Sequence, residues 1–514
     1  MFPTLAGIEK LRTALDNDLL VFLPELAVCA GIVALLLARL VAVLDRVHLG
    51  GVALVALAVA LFAAGYQVAD PQWGGPYFGN MLTSDAWGGF VRVVVLAAAV
   101  LTVLLTLLTG IPDAPDSADF YVLLLGGTLG MTLMASASHL LMVFIAVEMA
   151  SLPGYALAGF LKGKRTGSEA ALKYVVYGAA ASGVMLYGIT LLAGTFGSCA
   201  LHDVAAGIAA RGLDLPVLSG LALLFVGLGF KLAAVPFQFW CPDVFEGAAA
   251  EVAGFLSVAS KAGAIGLTGR VLLSLHSTHE GAWDIPANVG VGVAVVAMLT
   301  VTLGNLAAFG QTNLKRLLAY STIAHAGYML MGLAVVTKAG AAAVLFYLSA
   351  YVAMNLGAFG VVALVRNATA SEDIRSVRGL VKRSPLLAIA MTVFLASLLG
   401  LPPVAGFAGK FQVFAAVYGA AKTATVSGPP GLGTVFYVLL GVGAVNTAVS
   451  AYYYLKIVRA MLLDDPEADA SPVRLTPTAG LFFLALVAVL IVVGVLWDPL
   501  MAETSRAASA FSVK

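Results

Sequence analysis

The sequence predicts an all-α polytopic membrane protein with about fourteen transmembrane helices. Of its 514 residues, 61% are hydrophobic and 11% are charged, and the mean hydropathy is +1.00. Soluble proteins carry about 25% charged residues. Apolar runs of about 20 residues, the length that crosses a bilayer, recur along the whole chain. Composition and run length together therefore place the chain in the membrane.

The predicted spans follow one another with short connections, and none of these connections is long enough to form a soluble domain. The first long apolar run is expected to be retained rather than cleaved as a signal, because five charged residues lie among the first eighteen. The fourth span is short and has the least definite limits. The predicted spans are centred near Ala30, Val59, Ala98, Gly127, Phe144, Ser182, Phe225, Ala264, Ala297, Leu330, Met354, Leu398, Gly443 and Val487.

The distribution of basic residues predicts the orientation of the chain. Connections that follow odd-numbered spans carry fifteen of the 28 Lys and Arg residues, whereas the opposite side carries eight. Cytoplasmic loops are the ones enriched in Lys and Arg. With an even number of spans, both termini are therefore expected on the non-cytoplasmic side.

Charge and cysteine content exclude several classes of function. A net charge of +1 implies no polyanionic partner, so nucleic acid is not expected to bind. Cys29, Cys199 and Cys241 are isolated and have neither disulfide nor metal-ligand spacing. No glycine-rich phosphate loop and no cluster of metal ligands is apparent. We therefore expect no cofactor in this chain.

Charged residues inside the predicted spans are the most informative feature of the sequence. Glu148, Lys173, Lys231, Lys261 and Lys410 all lie in apolar runs. An ionisable group at bilayer depth is costly and marks a functional site by default. A series of such groups predicts a path for protons or ions.

Glu148 lies five residues before Pro153 in its span. A proline inside a helix leaves a backbone carbonyl that other groups must satisfy. A carboxyl group beside such a break can bind and release a proton. The alternative is a structural salt bridge between helices, but intramembrane carboxylates usually mark pathways.

Lys173 and Glu169 are one helical turn apart and can pair. Thr166 and Glu169 have the spacing of a capping box, so Glu169 is equally a helix-start residue. Lys173 is predicted to lie deeper and is the better functional candidate. Asp243 and Glu246 are expected near the cytoplasmic end of the seventh span, where bracing of a loop is the simpler role.

Lys231 and Lys410 lie beside interrupted spans, the seventh and the twelfth. Residues 227–236 read GLGFKLAAVP and residues 400–410 read GLPPVAGFAGK. Broken spans in both halves of a chain indicate an ion site in an inverted-repeat transporter. Burial disfavours the charged form of a lysine, which suits it to proton transfer. The alternative for each lysine is snorkelling to the interface.

Lys261 and His325 complete the set of candidates. Lys261 lies within residues 252–273, too central to snorkel easily. His325 follows Tyr320, Ser321 and Thr322 in the tenth span. A buried histidine is often a hydrogen-bonded packing residue, whereas the polar neighbours favour a relay, and both readings stand.

These motifs resemble the antiporter-like subunit N family of respiratory NADH:quinone oxidoreductase (complex I). The resemblance runs in order from about residue 24 to residue 461. A lysine at position 410 favours subunit N, because its closest sister subunit typically has glutamate there. The strings that carry the resemblance are residues 169–174 (EAALKY), 230–240 (FKLAAVPFQFW), 242–247 (PDVFEG), 304–306 (GNL), 315–328 (KRLLAYSTIAHAGY), 401–411 (LPPVAGFAGKF) and 452–455 (YYYL).

The resemblance implies two inverted five-helix repeats with broken helices 7 and 12. Helices 1–3 would occupy residues 1–119, and helices 4–8 would form the first repeat over residues 120–276. Helices 9–13 would form the second repeat over residues 288–461, followed by helix 14 over residues 476–497. The protein would lie in the bacterial plasma (inner) membrane, with both termini outside the cytoplasm.

The resemblance also implies a role for each buried charge in a proton pathway. Glu148 would pair with Lys231, and Lys261 would relay protons to Lys410 near the outlet. Lys173 and His325 match a lysine of the sixth span and a histidine of the tenth. Flavin, iron–sulfur clusters, NADH and quinone would be bound by partner subunits, which include sister antiporter-like subunits.

The sequence departs from the family pattern in two places. Gln238 stands where the family usually has histidine. The usual Gly-Ala-Pro-Thr-Pro stretch reads GAAAE over residues 247–251, which removes two prolines and adds Glu251. Either the connection between spans seven and eight is reshaped, or Glu251 compensates for the lost histidine.

The leading hypothesis is therefore a proton-translocating, non-redox subunit of NADH:quinone oxidoreductase. The alternative is a subunit of a multi-subunit cation/proton antiporter driven by ion gradients. A purely structural scaffold is a third hypothesis, but it leaves the lysines beside helix breaks in both halves unexplained.

Overall fold

The computed structural model describes residue 12 and residues 15–41, 47–70, 73–161, 165–277, 284–466 and 472–511. Helices account for nearly all of the secondary structure in these ranges. The strands described there are β1 (Gly75–Tyr77) and β2 (Leu82–Ser84), which form one antiparallel hairpin.

The helices follow one another along the chain with short connections. Their bounds are α1 (Leu15–Val21), α2 (Leu23–Arg39), α3 (Gly50–Ala69), α4 (Ala86–Thr109), α5 (Ser117–Ser136), α6 (Leu140–Ala158), α7 (Arg165–Phe196), α8 (Leu201–Arg211), α9 (Leu215–Leu232), α10 (Trp240–Gly247), α11 (Ala250–Phe255), α12 (Lys261–Ser277), α13 (Asp284–Ala308), α14 (Leu314–Ala334), α15 (Lys338–Thr369), α16 (Leu380–Arg383), α17 (Pro385–Leu399), α18 (Ala405–Ser427), α19 (Leu432–Leu462), α20 (Pro477–Val495) and α21 (Asp498–Ala508).

The prediction of an all-α polytopic membrane protein is confirmed. In the described part of the chain, twelve helices are long and apolar enough to span a membrane, and thirteen if the pair α1–α2, bent by 77°, is one span. Each of the fourteen predicted centres falls in a different helix. The count is lower than predicted because the first span is a bent pair and because α17, at the predicted twelfth span, has only 15 residues.

Burial divides the spans into a central group and a peripheral group. The span of residues 250–275 is wholly buried, and 94% of the span windows of α14 and α15 is buried. In contrast, only 33% of the windows of α3, α19 and α20 is buried. The central helices therefore provide an interior in which charged side chains are shielded, while the peripheral helices present apolar side chains to their surroundings.

Two helices, α9 and α17, end with a residue of left-handed backbone geometry. α9 ends at Leu232, and the next residue, Ala233, has a left-handed backbone with φ of 55°. α17 ends at Leu399 before Gly400, whose φ is 90°. Both ends have the paired hydrogen bonds of a Schellman motif, from Ala233 and its successor in α9 and from Gly400 and its successor in α17. Helical structure resumes with α10 and α18.

Two regions of the chain, the first from α5 to α12 and the second from α13 to α19, contain helices that pack in similar pairs. In the first region, α5 packs on α6 and α12, while α7 packs on α6 and α9. In the second region, α13 packs on α14 and α19, while α15 packs on α14 and α18. The two regions thus share a pattern of helix neighbours.

Candidate proton-translocation site

Lys231 lies in the last turn of α9 and is only 1% exposed. Its ammonium donates a hydrogen bond of 3.0 Å to Ser151 Oγ of α6. Glu148, one turn before Ser151, is half-buried and accepts a hydrogen bond from Ser182 Oγ of α7. Among the described side chains, Glu148 and Lys231 form no ion pair, although they are close enough to interact electrostatically. Ser151 Oγ donates instead to the carbonyl oxygen of Val147, and among the described side chains no hydrogen bond joins Glu148 to Lys231.

Lys261 is 2% exposed and begins α12, directly after a π-helical segment at Leu256–Ser260. Such segments are frequent at functional sites. The Lys261 ammonium donates to the carbonyl oxygen of Leu232 at 2.6 Å. Leu232 is the last residue of α9, and the last carbonyls of a helix have no partner within it. The last residue of α9 thus supplies the carbonyl oxygen that binds Lys261.

Lys410 occupies a comparable position in the second region. It is 4% exposed and donates to the carbonyl oxygen of Leu399, the last residue of α17, at 3.0 Å. Its ammonium also lies 4.4 Å from the centroid of the Tyr328 ring, a cation–π geometry. Two buried lysines, Lys261 and Lys410, are therefore each bound to the final carbonyl of a helix.

His325 lies in the core beside Tyr328, whose ring contacts the Lys410 ammonium. It is 1% exposed and hydrogen-bonds through both ring nitrogens. Nδ1 contacts the hydroxyl of Tyr347, and Nε2 contacts the hydroxyl of Tyr454 at 3.1 Å. The histidine is therefore hydrogen-bonded in the core next to an aromatic partner of Lys410.

The structure also contains a buried polar chain that the sequence reasoning missed. Asn355 Nδ2 donates to Ser257 Oγ at 2.6 Å and to Tyr351 OH at 2.9 Å. Tyr351 OH in turn donates to Thr322 Oγ1 at 3.1 Å. The signal in the sequence is the four-residue spacing of Tyr347, Tyr351 and Asn355, which places three polar groups on one face of α15. This chain leads from the π-helical segment towards the helix that bears His325.

Lys173 is not part of the buried row. Its side chain is 38% exposed, and it pairs with Glu169 at 2.8 Å and with Asp243 at 2.7 Å. Asp243 also pairs with Arg316, which pairs with Glu246. Lys173 is deeper than Glu169, as expected, because the Glu169 side chain is 59% exposed. The bracing role expected for Asp243 and Glu246 agrees with this ionic network.

The two departures from the family pattern have separate surroundings. Glu251 is fully buried and pairs with Arg366 of α15 at 3.1 Å. Gln238 is 3% exposed and lies between α9 and α10. Among the described residues, its Oε1 has no hydrogen-bond partner. The charge of Glu251 is thus balanced by an arginine of the second region, which favours the reading in which the connection is reshaped.

Other ion pairs brace the N-terminal helices, one between two of them and one to α12. Arg92 of α4 binds Glu25 of α2 through two hydrogen bonds, and both side chains are at most 2% exposed. Arg270 of α12 binds Asp85 and the carbonyl of Ala135. These partners satisfy the charges directly, as buried ions require. Their geometry is that of inter-helix braces.

Buried lysines held by neutral acceptors can exist with or without a proton. A carbonyl or hydroxyl oxygen accepts a hydrogen bond from either form, so neither state is locked by a salt bridge. Lys231, Lys261 and Lys410 share this feature, and all three are buried. The arrangement is suited to passing a proton between sites across the middle of a membrane.

Comparison with known proteins defines the class of this protein. Residues 137–428 match the family described as NADH:quinone oxidoreductase/Mrp antiporter, transmembrane. The chain is also 42% identical over 522 residues to NADH-quinone oxidoreductase subunit N of Anaeromyxobacter sp. (strain Fw109-5), with 98% of each protein covered. The chain belongs to the subunit N family of NADH-quinone oxidoreductases.

Solved structures are similar over nearly the whole chain. One is a chain of respiratory complex I from Thermus thermophilus with bound aureothin, which has 34% identity to this protein and a TM-score of 0.75. The match covers 93% of this protein and 98% of the Thermus chain. A chain of the Mrp complex from Dietzia sp. DQ12-45-1b has a TM-score of 0.82 over 96% of this protein and 97% of that chain. Its identity of 21% indicates a shared fold alone.

Proposed function

We propose that this protein is a proton-translocating membrane subunit of a bacterial NADH:quinone oxidoreductase. The observation that carries the proposal is the row of buried lysines beside interrupted helices, found in a member of the subunit N family. NADH oxidation and quinone reduction would occur in partner subunits, which would hold the flavin and the iron–sulfur clusters. This chain would contribute translocation rather than redox chemistry.

The architecture proposed for this function is a pair of inverted repeats. The first would comprise residues 120–276 and the second residues 288–461, flanked by residues 1–119 and 476–497. The matching packing pairs of the two regions and the matching ends of α9 and α17 support this division. The basic residues on one side favour termini that lie outside the cytoplasm.

The proposed path begins at Glu148 and Lys231 and ends near Lys410. A change in the distance between the Glu148 carboxylate and the Lys231 ammonium would alter the proton affinity of the lysine, since a nearby opposite charge favours the charged form. Lys231 would pass its proton by way of Lys261 and the surroundings of His325 to Lys410. Each of the three lysines is buried, so bulk water and ions would be excluded from the path.

Glu148 and Lys173 would both lie at the uptake side of this proposed path. Glu148 is half-buried on α6, and a carboxylate is costly to expose to acyl chains. A neighbouring membrane subunit would therefore cover this face. Lys173, held by Asp243, would act beside the uptake side of the path rather than in its buried row.

The test of the function is to isolate the complex gently from its native membrane and reconstitute it in sealed vesicles. NADH:quinone activity that acidifies or alkalinises the vesicle lumen, and that collapses with a protonophore, is the expected result. A particle without redox centres that exchanges sodium or potassium for protons would overturn the proposal in favour of the antiporter alternative.

A further inference from the structure

An apolar cavity opens between α9 and α13, beside the row of buried lysines. Its volume is about 350 Å³, within the range of small-molecule sites. Its walls come from α9, the connection that follows it, and α12, α13 and α14. Phe225, Val235, Thr268, Gly292 and Val296 are representative of the lining.

The cavity is elongated along the helix axes. Leu218, near the start of α9, and Leu232, its last residue, both line it. Fourteen residues of α helix rise about 21 Å, which exceeds the roughly 15 Å of one hydrocarbon leaflet. The cavity therefore follows α9 from near its N-terminal end to its last residue.

The rim of the cavity is apolar and exposed. Leu218 is 52% exposed, and Val295 and Leu299, on the neighbouring face of α13, are 44% and 52% exposed. Apolar side chains at this depth face acyl chains or another membrane subunit. The opening is thus continuous with the surface that meets the lipid.

One polar atom inside the cavity has no protein partner in the described part of the chain. Thr268 is 1% exposed, and its hydroxyl is buried without a hydrogen bond. A buried hydroxyl without a partner is costly. Thr268 lies seven residues beyond Lys261 on α12, about 10 Å along the helix, so it is closer to the membrane surface than the interruption of α9. The exposed Asn288 lies at the mouth on the same side.

The cavity therefore fits a ligand that has an apolar tail and an oxygen acceptor near one end. We propose that the cavity binds one acyl chain of an ester-linked phospholipid, from the leaflet at the N-terminal end of α9. The ester carbonyl would accept the hydrogen bond of Thr268, and the tail would run towards Val235. The tail would then contact Leu232, whose carbonyl holds Lys261. The proposed binding of the acyl chain does not depend on the proposed function, whereas an influence of the bound chain on pumping would.

The test uses the whole complex in vesicles of phosphatidylethanolamine and phosphatidylglycerol that contain a phosphatidylcholine with a diazirine on its acyl chain. After photolysis, label is expected on Phe225 and Val293 in the cavity wall. Gly292→Leu narrows the mouth, and a Cβ there meets no atom within 4 Å. Labelling should fall about tenfold, or ~1.4 kcal/mol of binding. Thr268→Val should lower labelling about fivefold, as for one hydrogen bond.

The matched control is Gly441→Leu on α19, where a Cβ also meets open space. It should leave cavity labelling unchanged. Equal labelling of α9, α13 and α19 that is insensitive to Gly292→Leu would overturn the site, as would a partner subunit's side chain cross-linked inside it. Because labelling needs no NADH, a wild-type complex that fails to pump would count against the proposed function and leave this test intact.

Discussion

The ends of α9 and α17 each provide a carbonyl oxygen that binds a buried lysine, but the two regions surround their lysines with different partners. The final carbonyl of α9 binds Lys261 from another helix, while the lysine within α9 itself, Lys231, binds a hydroxyl next to a carboxylate. The final carbonyl of α17 instead binds Lys410, which follows the interruption in the same predicted span. A negative group is close at hand in the first region, whereas the partners of Lys410 are a carbonyl and an aromatic face.

This difference indicates a direction for the proton. A carboxylate near Lys231 stabilises the charged lysine, so its distance can set when the proton is held. Lys410 has only neutral partners among the described residues, and these stabilise the charge less. A proton is therefore expected to be held in the first region and released from the second.

The largest effect is expected at Lys261, because the proposed path passes through it between the two regions. Lys261→Met should keep the volume of the side chain and remove the proton-carrying group, so redox-driven pumping should fall by about 100-fold, as for loss of a general acid–base group. Pumping is measured in vesicles as the initial rate of lumenal pH change. Lys382→Met, at a side chain that is 61% exposed, is the control, and equal pumping by both variants would contradict the link.

A large effect on stability is expected from Glu251, which the comparison assigns to bracing rather than to the path. Glu251→Ala leaves Arg366 buried and unpaired, which should cost about 3 kcal/mol. Thermal inactivation of the purified complex measures this loss. The double variant Glu251→Met with Arg366→Met removes both charges and should recover most of the stability together with pumping. A double variant that is stable but cannot pump would place Glu251 in the path.

Substitutions at the residues that follow α9 and α17 are expected to change stability by smaller amounts and in opposite directions. Gly400→Ala puts a Cβ at φ of 90° and 3.0 Å from Lys410 Cδ, so it should lower stability by about 1–2 kcal/mol. Ala233→Gly relieves a left-handed alanine and should be neutral or stabilising by up to about 1 kcal/mol. Thermal inactivation of both variants provides the measurement. Greater damage from Ala233→Gly than from Gly400→Ala would break the proposed correspondence.

The smallest effect is expected on the exposed surface. Lys382 pairs with Asp465 at 2.7 Å, but the two side chains are 61% and 84% exposed. Exposed pairs contribute little because water and salt screen them. Lys382→Ala should therefore change neither assembly nor thermal inactivation. A measurable loss of assembly would show instead that this loop contacts a partner subunit.

The sequence alone predicted much of the fold and the main members of the candidate site. Hydropathy placed a helix at every predicted span, because a bilayer requires long apolar segments. The burial of Lys231, Lys261 and Lys410 also followed, since each lies within or beside an apolar run. The interruptions were marked by Gly and Pro, which disturb helices for steric reasons.

The partners of these side chains could not be predicted in the same way. Lys261 binds a carbonyl 29 residues away, and Glu251 binds an arginine 115 residues away. Such contacts depend on how helices pack, and periodicity does not determine packing.

The most direct test of the central claim is proton pumping by the Lys410→Ala complex. The variant complex is reconstituted in vesicles, and protons moved per NADH are measured beside the rate of NADH oxidation. The account predicts an assembled complex that oxidises NADH but moves fewer protons for each NADH. Wild-type pumping at wild-type oxidation would contradict the role of the lysine row.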